Sequence, residues 1–302
     1  MKNIVIAGAT RSGSTSLFNY LSAHPLVCGS IPKQTLFFLD KNYEFVNSKP
    51  SYHFSDGIKF YDKYFHSCKE QDYALEASPD YLYSEKSCLA IKSSLTDVRL
   101  IFILRNPIDR VKSIYEEGVR VGFINPLDSI ESFANQALAE RHRIYKELLS
   151  TGLYFKHLKR YLKEFERGEI KIVNLDDLSN QPKQTMKEIC FWLKLDSEFY
   201  RNYDFVIANR AFRNKSNHLH LIYRSVRSVY LFAEKSMPCL VKKLDMIRSV
   251  IRRWYRSMNL VGIETSIIPQ VLDHKLRNFY REDILKLEKL LGKDLNWIRD
   301  DK

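Results

Sequence analysis

The fold is decided near the start of the chain by the stretch Ile4-Val5-Ile6-Ala7-Gly8-Ala9-Thr10-Arg11-Ser12-Gly13-Ser14-Thr15-Ser16-Leu17. Its first half is a short apolar run that closes at Gly8, which is typical of a buried parallel strand. From Leu17 onward, apolar residues recur at helical spacing. A glycine-bearing loop therefore joins a strand to a helix. Such a loop directs backbone N–H groups and the positive end of a helix dipole at one spot, as phosphate binding requires.

The loop is close to a Walker A sequence but lacks its lysine. The spacing Gly8-x4-Gly13-x-Thr15 agrees with that motif, whereas Ser14 stands where the motif has lysine. The positive side chain is Arg11, inside the turn. We expect the loop to hold one phosphate that carries one transferable group, with a merely structural glycine turn as the alternative.

Length and composition fit one large α/β domain. The chain has 302 residues, 45% of them hydrophobic, and no Gly/Ser/Pro-rich linker interrupts it. We expect a single domain over residues 1–302 with a basic helical insertion over about 205–265. No apolar run approaches the ~18 residues of a membrane span. The first strand begins at residue 3 and leaves no room for a signal peptide, so we expect a cytoplasmic protein.

The cysteines predict reduced thiols. There are five, an odd number, and no two form a CxxC pair, which disfavours both a disulfide framework and a zinc site. They are Cys28, Cys68, Cys88, Cys190 and Cys239.

The charge indicates an anionic partner. With 48 Lys and Arg against 36 Asp and Glu, the formal net charge is +12. Nucleotide, acidic polysaccharide, phospholipid and nucleic acid all fit this balance. Basic residues alternate with apolar ones at helical intervals from His218 to Arg256. This segment predicts either a helix on an anionic surface, which would place the protein peripherally at the inner membrane face, or a solvated basic face over a core stripe.

Two further strands end in polar groups. Glu76 lies near the end of the strand Tyr73–Ala77, and Arg105 follows the strand Val98–Leu104. Ser113 lies two turns into the next helix, on a face that could look back toward Arg105. Ligands bind at the carboxyl ends of parallel strands, so these residues are candidates for the site, with a structural ion pair as the alternative role of Arg105. The alternation of strands and helices predicts a three-layer α/β fold, a parallel sheet with helices on both faces.

Four motifs carry a family resemblance. They are Arg11-Ser12-Gly13-Ser14-Thr15, Lys33-x3-Phe37-Phe38, Glu76-Ala77-Ser78-Pro79-x-Tyr81-Leu82 and Ile103-Leu104-Arg105-Asn106-Pro107-x2-Arg110-x2-Ser113. In this order the chain resembles the PAPS-dependent sulfotransferases, most of all a bacterial branch related to heparan sulfate and other carbohydrate sulfotransferases.

The resemblance implies a P-loop-like fold and the donor 3'-phosphoadenosine 5'-phosphosulfate (PAPS), with no metal. The acceptor would be a hydroxyl or amine on a polysaccharide or glycolipid, and nucleic acid is not expected as a partner. Carried over by position, the 5'-phosphosulfate would be bound by Arg11, Ser12, Gly13, Ser14, Thr15 and Ser16. Arg105 and Ser113 would hold the 3'-phosphate.

Two positions depart from the pattern of that branch. Arg11 replaces the usual lysine, which is a mild change because a guanidinium can also neutralise charge on a leaving phosphate oxygen. Gln34 replaces the usual glutamate, and an amide cannot accept the proton of the acceptor. Glu76 is the predicted base, with Asp40 and His24 as weaker candidates. The competing functions are a P-loop nucleotide kinase and a catalytically impaired nucleotide-fold protein that binds polyanions or membrane.

Overall fold

The computed structural model describes residues 1–43, 54–206 and 268–298, together with short pieces at 212–214, 216, 219, 222–223, 225, 258 and 260–262. The predictions for the insertion over 205–265 and for the basic segment from His218 to Arg256 lie almost wholly outside these residues. The chain forms two compact units. The first comprises Met1–Val111, Ser150–Asn209 and His274–Lys302, and the second comprises Lys112–Leu149 and Arg210–Asp273. The single-domain assignment stays a prediction.

The first unit is built on a five-stranded sheet in which all strands are parallel. The strands are β1 (Lys2–Gly8), β2 (Val27–Gly29), β3 (Tyr73–Ala77), β4 (Val98–Leu104) and β5 (Ile170–Asn174), in the order β2-β3-β1-β4-β5. β1 is central, and its Val5 pairs with Glu76 on one side and Leu100 on the other. All of the carboxyl ends therefore meet at one edge of the sheet.

The helices lie between and after the strands. They are α1 (Ser14–Ser22), α2 (Ile58–Tyr61), α3 (Ser87–Ser94), α4 (Pro107–Val121), α5 (Ile130–Leu138), α6 (Arg143–Ser150), α7 (Tyr154–Glu164), α8 (Leu175–Asn180), α9 (Pro182–Leu193) and α10 (Gln270–Leu291). Short 3-10 turns lie at Phe54–Asp56, Asp62–Phe65, Pro79–Leu82, Arg167–Glu169 and Glu198–Tyr200. Gly292 follows α10 with a φ of 62°, a left-handed conformation that is common just beyond the end of a helix and favours glycine.

Helices cover both faces of the sheet because strand side chains alternate between the faces. Ile6 and Ile103 are buried in one cluster with Leu17 of α1 and Ile189 of α9. On the other face, the Phe102 ring lies 4.9 Å from that of Tyr161 on α7, measured between centroids. This confirms the predicted three-layer α/β fold.

The second unit contains most of α4, then α5 and α6, and a short antiparallel pair, β6 (Phe212–Asn214) and β7 (Leu260–Gly262). The periodicity predicts one helix over 129–150, but the structure has two. Glu140 adopts a φ of 56°, which an α-helix cannot contain, so the helix is broken there.

One cysteine prediction is wrong. Cys28 and Cys68 form a disulfide with a Cα–Cα separation of 5.7 Å, whereas Cys88 and Cys190 are buried free thiols. The pair was invisible in the sequence because 40 residues separate its members. They meet because the Asp62–Phe65 turn returns beside β2, where the Ile31 N–H donates to the Tyr64 carbonyl at 2.9 Å. Cys239 lies outside the described residues.

Disulfides are typical of oxidising compartments, so the Cys28–Cys68 bond does not support the prediction of a cytoplasmic protein. Among the described residues, no helix has the length and apolar character needed to cross a bilayer.

Candidate functional site

The turn between β1 and α1 is the segment predicted to bind a phosphate. Arg11 has a φ of 61° and Gly13 a φ of 90°, both in the left-handed region. A side chain at Gly13 would also place its Cβ 2.6 Å from Leu175, so conformation and packing both require glycine here. Gly13 directly precedes α1. The amino end of this helix therefore opens at the carboxyl edge of the sheet, where an anion is stabilised.

Arg110 forms hydrogen bonds to this turn from within the core. It is completely buried. Its Nε donates to the Thr10 carbonyl at 2.7 Å, and one Nη donates to the Thr10 hydroxyl at 2.8 Å and to the Tyr83 hydroxyl at 2.7 Å. The other Nη donates to the Thr151 hydroxyl at 3.1 Å. The guanidinium lies 5.7 Å from the ring centroids of both Tyr83 and Tyr154. Sequence reasoning included Arg110 in a motif but assigned it no function.

Tyr154 links the turn to the segment after β4. Its hydroxyl donates to the Arg105 carbonyl at 2.8 Å and also interacts with Ser12 in the turn. Tyr154 is completely buried, so this link is shielded from solvent. The two segments predicted to bind the nucleotide are therefore joined through one side chain.

Lys33 brings a second cation to the amino end of α1. Its Nζ donates to the Thr15 hydroxyl at 3.1 Å. Burial lowers the pKa of Lys33 to about 8, while the nearby Asp80 carboxylate opposes this shift. Lys33 belongs to one of the family motifs, but its contact with Thr15 could not be inferred because Lys33 lies in the loop after β2 and Thr15 in the first turn of α1.

Glu76 lies at the end of β3 inside a cage of hydroxyl groups. Its Oε2 accepts from Thr35 at 2.6 Å and from Ser78 at 2.7 Å, and its Oε1 accepts from Tyr61 at 3.0 Å. The Tyr81 hydroxyl lies 3.3 Å from both oxygens. The residue is completely buried. Burial raises the pKa of Glu76, and the four hydroxyl donors counteract that rise.

Asp80 follows in the Pro79–Leu82 turn and is half-buried. Its Oδ1 accepts from the Tyr43 hydroxyl at 3.2 Å. Burial raises the pKa of Asp80 to about 6, against the lowering effects of the Tyr43 hydrogen bond, Arg110 and Lys33. Asp80 thus shares its surroundings with two cations that each contact a threonine at one end of the turn between β1 and α1.

Four further residues predicted to bind the nucleotide lie on β4, α4 and α1 or directly after them. Arg105 directly follows β4 in the first unit, and Ser113 is a buried residue on the part of α4 that belongs to the second unit. Their joint contact with a 3'-phosphate stays a prediction. Ser14 is buried at the first position of α1, and Ser16 lies half-buried two residues later.

Gln34 and the two weaker candidates for the base, Asp40 and His24, differ in their surroundings. Gln34 is exposed. An oxygen of Asp40 lies 3.9 Å from the Lys86 Nζ. The His24 Nδ1 accepts from the Leu26 N–H at 3.2 Å, and its Nε2 donates to the Asp196 carbonyl at 3.1 Å. Both ring nitrogens of His24 are therefore hydrogen-bonded to backbone groups.

Within the part of the chain that the structure describes, no group of three or more His, Cys, Asp or Glu side chains could hold a metal ion.

A glycine turn without the Walker lysine and a parallel sheet in the order β2-β3-β1-β4-β5 agree with a comparison against known families. The sequence pattern of the Sulfotransferase domain matches residues 1–255. The chain belongs to the sulfotransferase family.

Individual sulfotransferases of known name are similar at modest identity. The chain is 29% identical over 195 residues to a human bifunctional heparan sulfate N-deacetylase/N-sulfotransferase 2, which covers 63% of the chain and only 21% of that protein. It is 25% identical over 300 residues to human heparan sulfate glucosamine 3-O-sulfotransferase 6, covering 97% of the chain and 72% of the relative. The chain thus spans about a fifth of the first relative's length.

The fold of the sulfotransferase family is also found among solved structures. A sulfotransferase from Alicyclobacillus acidocaldarius superposes with a TM-score of 0.67 at 20% identity, and the match covers 99% of each chain. This confirms the P-loop-like α/β fold that the motifs implied.

Proposed function

We propose that the protein moves a sulfuryl group from PAPS to a hydroxyl or amine of a carbohydrate acceptor, a polysaccharide or glycolipid, by in-line transfer. The observation that carries this proposal is the turn between β1 and α1. There, Arg11 occupies a left-handed position inside the loop, and Ser14 replaces the lysine that a nucleoside triphosphate would require.

The turn is suited to one phosphate that carries a leaving group. The donor supplies the sulfur–oxygen bond that breaks in the reaction. Residues 11–16 would hold its 5'-phosphosulfate through backbone N–H groups and the amino end of α1. Arg11 would neutralise the charge that grows on the departing phosphate oxygen, and Lys33, hydrogen-bonded to Thr15, would add a second cation beside it.

Arg105 and Ser113 are proposed to hold the 3'-phosphate. Arg105 lies at the carboxyl edge of the sheet, directly after β4, where α/β folds bind nucleotides. Its carbonyl is fixed by Tyr154, which also interacts with the turn. Two separate anion sites fit a nucleotide that has phosphate groups at both ends of its ribose.

The acceptor class rests on the named relatives and on charge. Both human relatives carry heparan sulfate in their names. A net charge of +12 favours the approach of an anionic polysaccharide. Contact with an anionic membrane surface through the segment from His218 to Arg256 is a separate proposal that rests on the sequence alone.

The experiment measures nucleotide choice and transfer together. We expect 3',5'-bisphosphoadenosine (PAP) to bind tightly in calorimetry, and PAPS labelled with sulfur-35 to label a polysaccharide or glycolipid fraction. ATP labelled in its γ-phosphate should label none. Transfer from ATP would establish a kinase instead. PAP binding without sulfuryl transfer to any acceptor in a broad panel would support the non-catalytic alternative, which Gln34 motivates.

A further inference from the structure

We infer that Asp80 accepts the proton of the acceptor during transfer, the role that Gln34 cannot fill. This inference rests on the sulfotransferase function proposed above.

The need for such a group follows from the chemistry of the acceptor. A hydroxyl or a neutral amine must lose a proton as it bonds to sulfur. A positioned base typically accelerates such a step ~10²- to 10⁴-fold. The side chain of Gln34 is an amide and has no comparable basicity. It is also exposed rather than held in a fixed position by packing.

The earlier candidate, Glu76, is enclosed by its own partners. Four hydroxyl groups surround its two oxygens, and the residue has no exposed surface. An acceptor hydroxyl would have to displace one of these donors and penetrate the core. The geometry instead suits a carboxylate that fixes the loop bearing Thr35 to the end of β3.

Asp80 occupies a different position at the same edge of the sheet. It lies three residues beyond the end of β3, which pairs with β1, and unlike Glu76 it keeps part of its surface exposed. Tyr83, at the end of the same 3-10 turn, contacts the phosphate-binding turn, because the hydroxyls of Thr10 and Tyr83 lie 3.4 Å apart. The segment that carries Asp80 is therefore in direct contact with the turn.

The charges around Asp80 come from both sides of the turn. Lys33 reaches Thr15 and Arg110 reaches Thr10, and the positive charges of both lysine and arginine act on the Asp80 carboxylate. Tyr43 donates to its Oδ1. A sulfuryl group bound at the turn would thus have two cations and one carboxylate nearby, and the cations favour the ionised form of Asp80 that can accept a proton.

The protonation state agrees with this geometry. Burial raises the pKa of Asp80 to about 6, whereas the Tyr43 hydrogen bond and the cations Arg110 and Lys33 limit the rise. Tyr83 is the further titratable group in contact with this cluster, through Arg110. At neutral pH the Asp80 carboxylate is ionised, yet it is more basic than an ordinary aspartate, which favours proton acceptance.

The acceptor oxygen or nitrogen forms a bond to sulfur while the bond from sulfur to the bridging oxygen of the 5'-phosphate breaks. The electron pair of the broken bond stays on that phosphate oxygen. The proton of the acceptor moves to an Asp80 carboxylate oxygen and is released to water after the product leaves.

The test compares Asp80→Asn with the parent protein and with Asp72→Asn. Asp72 is an exposed residue just before the other end of β3 and serves as the matched control. We expect Asp80→Asn to lower kcat ~10²- to 10⁴-fold while PAP affinity stays within about threefold of the parent. The acidic limb of the kcat profile, near pH 6 in the parent, should disappear. Asp72→Asn should match the parent in each measurement.

A second variant covers a loss of folding in the first. In Asp80→Ala, added formate should restore part of the rate in proportion to its concentration, because formate can occupy the vacated carboxylate position; a merely structural role would give no such recovery. A parent that transfers sulfuryl groups while Asp80→Asn keeps its rate and its acidic limb overturns this inference alone. A parent that transfers none overturns the proposed function with it.

Discussion

The Lys33 ammonium and the Thr15 hydroxyl are joined by a hydrogen bond of 3.1 Å, which connects the loop after β2 to the first turn of α1. The loop and the helix turn belong to different motifs of the sequence, and this contact places the Lys33 ammonium beside the proposed phosphosulfate site. Because Lys33 is partly removed from water, its charge also depends on pH in an accessible range.

Lys33→Arg should abolish the loss of PAP affinity at alkaline pH, the basic limb of the binding profile. Burial lowers the pKa of Lys33 to about 8, so the parent loses this positive charge, and with it affinity for the anion, as the pH rises through about 8. A guanidinium keeps its charge throughout. Calorimetric Kd values for PAP between pH 6.5 and 9.5 check this, with the exposed Lys63→Arg as control. A basic limb that persists in Lys33→Arg would assign it to another group.

Arg11→Ala should reduce turnover far more than nucleotide affinity. The charge that Arg11 meets grows as the phosphate oxygen departs, so its largest contribution comes in the transition state. Removal of a comparable stabilising group typically costs ~10²- to 10³-fold in kcat. Arg11→Lys should retain substantial activity. Single-turnover rates and PAP affinities measured on the same preparations separate the two effects, and unchanged turnover in Arg11→Ala would make the residue structural.

Arg105→Ala and Ser113→Ala should weaken the binding of PAP but not of adenosine 5'-phosphosulfate, which lacks the 3'-phosphate. A charge-assisted contact from arginine is worth ~1.5 to 3 kcal/mol, and the hydroxyl contributes less. Comparing the two nucleotides in each variant isolates the 3'-phosphate contact from any general effect on folding. Equal losses for both ligands would show that the 3' site is placed wrongly.

Glu76→Gln should destabilise the fold without removing the acidic limb of turnover. The amide cannot accept from four hydroxyl donors, and leaving buried hydroxyls poorly paired costs ~1 to 3 kcal/mol. Urea unfolding and the pH profile of kcat check the two parts. If Glu76→Gln removed the acidic limb and Asp80→Asn did not, the original assignment of Glu76 as the base would be correct.

The sequence predicted those features that depend on local patterns. The apolar runs that end at Gly8 and Leu104 located two strands, and the residues just beyond them, Arg11 and Arg105, were therefore expected at the binding edge. Parallel topology brings such strand ends together, so the approximate site followed from the order of elements.

Contacts between distant segments could not be predicted in this way. Arg110 reaches Thr10 across 100 positions, and nothing in the residues around either one specifies the partner of the other. The sequence did not predict a function for Asp80, because an aspartate after a proline is common in turns. Its environment depends on Lys33, Tyr43 and Arg110, which only the folded chain assembles.

The disulfide between Cys28 and Cys68 converts the residues between them into a covalent ring that contains Lys33, Gln34 and Tyr61. Closing a loop with a sequence separation of 40 restricts the unfolded chain and is worth about 4 kcal/mol in the entropic description. That contribution exists only under oxidising conditions. Lys33, which contacts Thr15, and Tyr61, which donates to Glu76, therefore lie on a segment that is covalently closed only while the disulfide is oxidised. The thiol–disulfide balance of the surroundings thus decides whether this constraint is present.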